Sequence, residues 1–404
     1  MKKGAQKSPR ADVQLSEDQE RALTRLHAWT RKPTSASLTV GGYAGTGKTT
    51  LITILRRELR RADNTKRVAF AAYTGKAAQV LRTELEARGA LYPGDSCGTI
   101  HSLLYKAEVD KEGRLKRWRR TKNIDAELIV IDEASMVTDT IWEDLLMCEK
   151  PIIALGDHGQ LPPISGNFNL MEQPEILLEK IHRQAENNPI IALAHEARVS
   201  GTIRSGTYSK SVRKLSYTKN EPDEIAALTE HLFSNYHDDM LILCGRNKTR
   251  VNLNAKIRAH AGHETPDPEV GEKVVCLKNN YSHPLAPIYN GMTGFIQTIT
   301  PHKTHWYETA IDFPDDDRAF DGLIVRSQFG SPTLIETIDG VKYKDLGDRF
   351  DFGYALTVHK SQGSQARTVL LFEERFMKSD DEQWRRWLYT AVTRARENLY
   401  IIGA

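Results

Sequence analysis

Gly42-Tyr43-Ala44-Gly45-Thr46-Gly47-Lys48-Thr49 is the stretch on which the fold turns. It follows a short apolar run at residues 38–41. It precedes a segment in which Leu51, Ile54, Leu55 and Leu59 recur on one helical face with Arg56, Arg57 and Arg60 off it. A strand, a glycine-rich turn and an amphipathic helix are expected in that order. Glycines let backbone amides curl around phosphate oxygens, and a helix N-terminus brings positive potential to the same point. The pattern G-x-x-x-x-G-K-[ST] assigns Gly45, Thr46, Gly47, Lys48, Thr49 and Thr50 to a nucleoside triphosphate. Lys48 reaches the β- and γ-phosphates, and Thr49 holds magnesium.

A second apolar run, residues 128–131, ends in Asp132-Glu133, so two carboxylates emerge at the C-terminal end of a buried strand, where ligands of open α/β sheets gather. By itself such a pair is more often a charge pair at a helix N-terminus. Downstream of a phosphate loop it reads as chemistry: Asp132 binds magnesium through water, and Glu133 orients or deprotonates the attacking water. The next run, 152–155, leads into Gly156-Asp157-His158-Gly159-Gln160-Leu161-Pro162-Pro163. There Gln160 is placed to hydrogen-bond the γ-phosphate or its water, on a loop stiffened by prolines.

Further runs at 68–71, 241–244, 369–372 and 399–402, with helical segments between, extend the pattern of parallel strands joined by crossover helices into two α/β sheets, one per half. Two stretches break it. Residues 105–122 carry eight Lys and Arg around Asp110-Lys111-Glu112-Gly113, which predicts a basic β-hairpin within about 104–124. Residues from about 266 to 347 alternate short β-type segments (273–277, 293–299, 323–325) with Gly, Pro and Asp turns, the composition of a small inserted β-barrel.

The 404 residues allow two to four domains. With 40% hydrophobic and 27% charged residues the chain reads as globular, and it lacks the continuous apolar run of a membrane span. Met1 to Ala11 are basic and polar, without the apolar core of a secretory signal. Cys97, Cys148, Cys244 and Cys276 are widely spaced and form no C-x-x-C pair, which argues against a zinc site or a disulfide framework and for a reducing compartment. The net charge of only +3 means that any polyanion must be gripped by local surfaces.

Taken in order, these pieces resemble the superfamily 1 helicases, specifically the RecD-like, 5′–3′ branch. The resemblance is carried by Leu15-Ser16-Glu17-Asp18-Gln19, the phosphate loop, Thr74-Gly75-Lys76-Ala77-Ala78, Thr99-Ile100-His101-Ser102, Ile131-Asp132-Glu133-Ala134-Ser135 and the Gln160 loop. It continues through His182-Arg183, Thr357-Val358-His359-Lys360-Ser361-Gln362-Gly363-Ser364 and Tyr389-Thr390-Ala391-Val392-Thr393-Arg394-Ala395-Arg396. It implies two RecA-like parallel-sheet P-loop domains: 1–174, and 175–264 with 348–404. The hairpin is then a duplex-splitting pin in the first, and 265–347 an SH3-like β-barrel in the second. It further implies that Gln19 contacts adenine, that Arg183 and Arg394 approach the γ-phosphate as arginine fingers, and that Gln362 and Gly363 line the same cleft. A guanidinium crossing a domain interface suits that task, because it neutralises charge that grows in the transition state.

Thr74, Lys76, Thr99 and His101 follow candidate strand ends in the first half, and His359, Lys360 and Ser364 hold the matching position in the second. Hydroxyls, amides and a few cations hold phosphates without reading bases, as a translocase on arbitrary sequence must. Outside such motifs either histidine reads as structural. Trp118 is a candidate for base stacking, although an aromatic in a hairpin is more often packed. Trp384, Trp387, Leu388 and Ala391 follow helical spacing and belong to the core.

The expected activity is therefore an ATP- and Mg2+-dependent DNA helicase, a monomer acting on single-stranded DNA and DNA forks in the cytoplasm of a bacterial or phage-infected cell. Single-strand-binding or replication proteins are candidate partners, and no membrane is involved. Two alternatives stay open: an RNA helicase of the same superfamily, and a nucleotide-switched remodelling subunit that unwinds nothing alone.

Overall fold

The computed structural model describes residues 15–109, 115–121, 123–163, 168–180, 188–280, 283, 288–315, 318–375 and 380–404. In chain order the first half contains α1 (Glu17–Arg31), β1 (Ser37–Gly42), α2 (Lys48–Ala62), β2 (Val68–Ala72), α3 (Gly75–Ala87), β3 (Ser96–Thr99) and α4 (Ile100–Leu104). Then come β4 (Tyr105–Val109), β5 (Leu115–Arg120), β6 (Leu128–Asp132), α5 (Asp139–Leu146), β7 (Ile152–Gly156) and β8 (Ile176–Leu178). Six of the strands form one sheet, β3-β2-β6-β7-β1-β8, with every pairing parallel. The apolar runs explain its centre, since β2 and β7 are buried along their whole length, as strands covered on both faces must be. α2 packs Leu51, Leu55 and Leu59 on this sheet. It also buries Arg56, which pairs with Asp95 at 2.9 Å, the two side chains being 1% and 0% exposed.

The expected hairpin forms as β4–β5, with Tyr105 opposite Arg120. Tyr105 and Arg120 both reach Asp144 on α5, which fixes the hairpin's base to the first sheet. The Asp110–Gly113 turn, Lys122 and the Trp118 side chain lie outside the described residues.

The second half contains α6 (Pro189–Ser200), β9 (Gly206–Ser209), β10 (Val212–Ser216), α7 (Pro222–Ser234), β11 (Met240–Cys244) and α8 (Asn247–His260). These are followed by β12 (Lys273–Cys276), β13 (Thr293–His302), β14 (Trp306–Phe313), β15 (Arg318–Val325), β16 (Phe350–Phe352), β17 (Ala355–Thr357), β18 (Ala366–Phe372), α9 (Asp381–Val392) and β19 (Ala395–Gly403). A second six-stranded sheet runs β17-β11-β18-β19-β10-β9, parallel except for β9. Trp384, Trp387, Leu388 and Ala391 of α9 are in its core as the spacing predicts.

Strands β12–β16 form a separate antiparallel sheet, β15-β14-β13-β12-β16, around Val274, Ile296, Ile311, Phe313, Phe320 and Phe350. Its edges meet through a bridge between Ile324 and Asp348, where the Val325 N–H donates to the Asp348 carbonyl at 2.9 Å. This sheet is inserted between β11–α8 and β17, and α8 clamps it. Arg250 pairs with Asp351 at 2.7 Å, Arg258 pairs with Glu272 at 2.7 Å, and the Asn254 amide donates to the Phe352 carbonyl at 3.0 Å. Among the described residues no helix is long and apolar enough to cross a membrane.

Candidate functional site

The loop between β1 and α2 has the strained backbone that a phosphate cradle requires. Gly45 and Gly47 lie at φ +82° and +77°, in the left-handed region open to glycine. A Cβ on Gly42 would fall 2.6 Å from the Thr46 hydroxyl, so the turn closes only on glycine. Lys48 folds back over the loop, its ammonium donating to the Gly42 carbonyl at 2.6 Å and the Tyr43 carbonyl at 3.2 Å. Thr46 is wholly buried, and its hydroxyl donates to the Tyr43 carbonyl at 2.8 Å.

Gln19 is also fully buried, but it faces the loop. Its Nε2 donates to the Thr46 carbonyl at 3.0 Å, and its Oε1 accepts the Ser16 N–H at 3.1 Å as part of the α1 capping box. Gln19, expected to contact adenine, thus also holds the phosphate loop against the start of α1.

Asp132 and Glu133 stand at the end of β6. Burial, helped by the Glu133 charge and opposed by Lys48, pushes the Asp132 carboxyl up to about 6. Glu133 sits at φ +53°, a left-handed conformation that costs a side-chain-bearing residue about 1–3 kcal/mol. Its Oε2 is buried without a hydrogen-bond partner, as is Oε1 of Gln160 on the loop after β7. Two orphaned acceptors, a half-buried carboxylate and an ammonium form an environment for a polyanion, its metal and a water, which would supply the missing partners.

The Gln160 loop is gripped by the second sheet. Arg386 donates to the His158 carbonyl at 3.0 Å, Thr390 Oγ1 accepts the Leu161 N–H at 3.0 Å, and Gln362 Nε2 donates to the Leu161 carbonyl at 2.7 Å. Thr74 reaches across as well, its hydroxyl donating to the Gly363 carbonyl at 3.3 Å. Gln362 and Gly363 therefore lie on the seam between the sheets, against Leu161 of the Gln160 loop and Thr74. Arg394 is 1% exposed and donates to the Thr390 and Ser364 carbonyls at 3.0 and 3.2 Å. Its guanidinium is held within its own half, a departure from a finger extended toward phosphate. Arg183, with His182, lies outside the described residues.

Beside this seam opens a cleft of about 210 Å³ lined from all three sheets. Thr74 and Lys76 come from the first, His359, Lys360 and Ser364 from the second, and Tyr289 with Asn290 from the inserted sheet. Five of the seven residues expected to hold nucleic acid thus line this one cleft. Thr99 and His101 do not line it. The Thr99 hydroxyl caps α4 by accepting the Ser102 N–H at 3.1 Å. His101 is 4% exposed with its ring 3.9 Å from that of Tyr289. Burial, with the Arg318 charge adding to it, drops His101 to about 3, so the ring is neutral and braces Tyr289 from behind. Lys360 is brought down to about 8, mainly by burial and then by Arg250.

Sequence reasoning passed over Tyr389, Asp157, Arg386 and Thr390. For Arg386, Tyr389 and Thr390 the signal was a polar face at i, i+3 and i+4 on a helix read only for its apolar side, whereas Asp157 lies on the loop after β7.

A model of the AAA domain family matches residues 14–219, just over half of the chain, and a UvrD-like helicase C-terminal domain matches residues 352–402. The chain belongs to the AAA domain family. It is 27% identical to the ATP-dependent RecD2 DNA helicase of Deinococcus radiodurans, over 96% of this chain and 49% of that one. It is also 27% identical to the RecBCD enzyme subunit RecD of Mycolicibacterium smegmatis, over 92% of this chain and 69% of that one. The chain thus spans about half the length of the first relative and two thirds of the second. A crystal structure of Pif1 helicase from Bacteroides in complex with ADP-AlF3 and ssDNA aligns with a TM-score of 0.47 at 17% identity, over 96% of this chain and 92% of that one.

Proposed function

We propose that the chain is an ATP-dependent DNA helicase that moves 5′ to 3′ along single-stranded DNA and separates duplexes. The observation that carries this reading is the shared seam: the loop bearing Gln160 is held by the second sheet, while the channel beside it is lined by both sheets. A change in the nucleotide is thereby linked to a change in the grip on a strand.

In this account Gly45 to Thr50 surround the phosphates, Lys48 neutralises them, Glu133 takes the proton of the attacking water and Gln160 orients it. Thr49 and Asp132 would hold magnesium, which would supply further neutralisation of phosphate charge. Arg394 and Arg183 serve as fingers, which requires Arg394 to exchange its carbonyl partners when nucleotide is present. Thr74, Lys76, His359, Lys360 and Ser364 hold the strand, with Thr99 and His101 supporting the channel wall. The division is 1–174, 175–264 with 348–404, and 265–347. The last is an SH3-like barrel that braces the strand, and the β4–β5 hairpin is the pin. The protein acts as a monomer in the cytoplasm, alone or beside single-strand-binding or replication proteins.

The test is a fork-unwinding assay with 5′- and 3′-tailed substrates of DNA and RNA. ATP-dependent opening of the 5′-tailed DNA fork is the expected result. Opening of only 3′-tailed forks would reverse the polarity, preference for RNA would change the substrate, and translocation without opening would leave a remodelling subunit.

A further inference from the structure

One hydroxyl of the second half touches both loops of the nucleotide site. Tyr389 on α9 is 2% exposed. Its phenol oxygen accepts the Ala44 N–H at 2.8 Å and donates to Asp157 Oδ2 at 2.6 Å. Ala44 belongs to the phosphate loop, and Asp157 opens the loop that carries Gln160. The Asp157 carboxylate also accepts the Gly159 N–H at 3.0 Å and Gln160 Nε2 at 3.3 Å. With its nitrogen so held, the Gln160 amide keeps its oxygen buried and unpartnered. The surroundings leave no slack: a Cβ on Gly159 would lie 2.9 Å from the Tyr43 ring and 3.1 Å from that of Tyr389. Arg386, one turn before Tyr389, and Thr390, the next residue, hold the backbone of the same loop. Hydrogen bonds to an ionised acceptor are the stronger kind, so the Tyr389–Asp157 contact sets the orientation of what Asp157 holds.

We infer that Tyr389 is a positioning residue for triphosphate cleavage. Through Asp157 it turns the Gln160 amide so that its oxygen is the acceptor for the attacking water, and through Ala44 it registers that orientation against the phosphate loop. The arrangement is complete only while the two sheets are closed on each other, so hydrolysis is licensed by closure. This rests on the ATPase reading above.

The experiment is steady-state ATP hydrolysis, stimulated by single-stranded DNA, of the whole chain and of Tyr389→Phe, which keeps the ring and removes the hydroxyl. The expected result is a kcat lower by on the order of 10–100-fold, the scale of a misplaced reacting group. KM should stay within about 3-fold, the pattern of an interaction used in the transition state and not in binding. If Tyr389 acts through Gln160, Tyr389→Phe combined with Gln160→Ala should be no slower than Gln160→Ala alone. A Tyr389→Phe kcat within about 2-fold of the parent, or losses that multiply in the double variant, overturns the inference. Asp157→Asn, which retains an acceptor for the hydroxyl but lacks the charge, is the second variant should Tyr389→Phe not fold. The same kcat-only loss supports the inference there, and parental kcat overturns it. A parent chain that fails to hydrolyse ATP sinks the proposed function itself, whereas an active parent with an equally active Tyr389→Phe sinks only this inference.

Discussion

Glu133 shows how much of the chemistry is written in one residue's conformation. A carboxylate held at positive φ with a buried, unpartnered oxygen is costly. Glu133→Gln is accordingly expected to lower ATP turnover by about 10²–10⁴-fold, the usual contribution of a general base, while ATP still binds in a filter or fluorescence titration. Lys48→Ala should lose both. Lys360 makes a pH prediction. Its ammonium is charged below about 8 and neutral above, so affinity for an oligonucleotide should fall as pH rises from 7 to 9. That fall should vanish in Lys360→Met, and the slope of log affinity against log salt should shrink by about 0.7, the share of one phosphate contact on a single strand. An unaltered salt slope would remove Lys360 from the strand. At this scale the motif residues were legible because a phosphate cradle needs particular residues at fixed spacing. Partners such as those of Gln19 and Arg394 were not, since a buried amide or guanidinium can be satisfied by any carbonyl that the fold brings near.

Elements were legible where their cores were apolar and obscure where ions were buried. β2, β6 and β7 appear within one residue of the apolar runs that announced them. β10, Val212–Ser216, was missed because Lys214 interrupts its pattern, yet that lysine is 2% exposed and paired with Glu373. β14 was missed because Glu308 and Asp312 alternate with Tyr307, Ile311 and Phe313, so its buried face carries only half of its residues. α2 hides an ion in the same way. Asp95 takes the Arg56 guanidinium and the Val68 and Tyr92 N–H groups. Asp95→Ala strands a buried cation, and a loss of about 3–5 kcal/mol in urea denaturation of the first sheet is expected. A change below about 1 kcal/mol would mean that water reaches Arg56. The hairpin is separable from hydrolysis. Replacing residues 105–121 with a short linker should preserve DNA-stimulated ATPase and abolish strand separation. Parental unwinding would show that the hairpin is not the pin.

For the whole molecule, two sheets meet at the Gln160 loop and share a channel, while the inserted sheet is bolted to the second by Arg250, Arg258 and Asn254 and contributes Tyr289 and Asn290 to the channel wall. The sequence motifs announced both sheets and their ligands; the folded chain reveals that α9 touches both loops. A helicase of this build requires the two sheets to move relative to each other during the nucleotide cycle. The four native cysteines are buried, so thiol dyes can be directed to Val80→Cys on α3 and Tyr217→Cys beyond β10, both at exposed positions. Energy transfer between them, followed on single molecules bound to single-stranded DNA, should take different values without nucleotide, with a non-hydrolysable ATP analogue and with ADP, and should alternate during turnover. One unchanging value in every state, in a protein that hydrolyses ATP and opens forks, would contradict it.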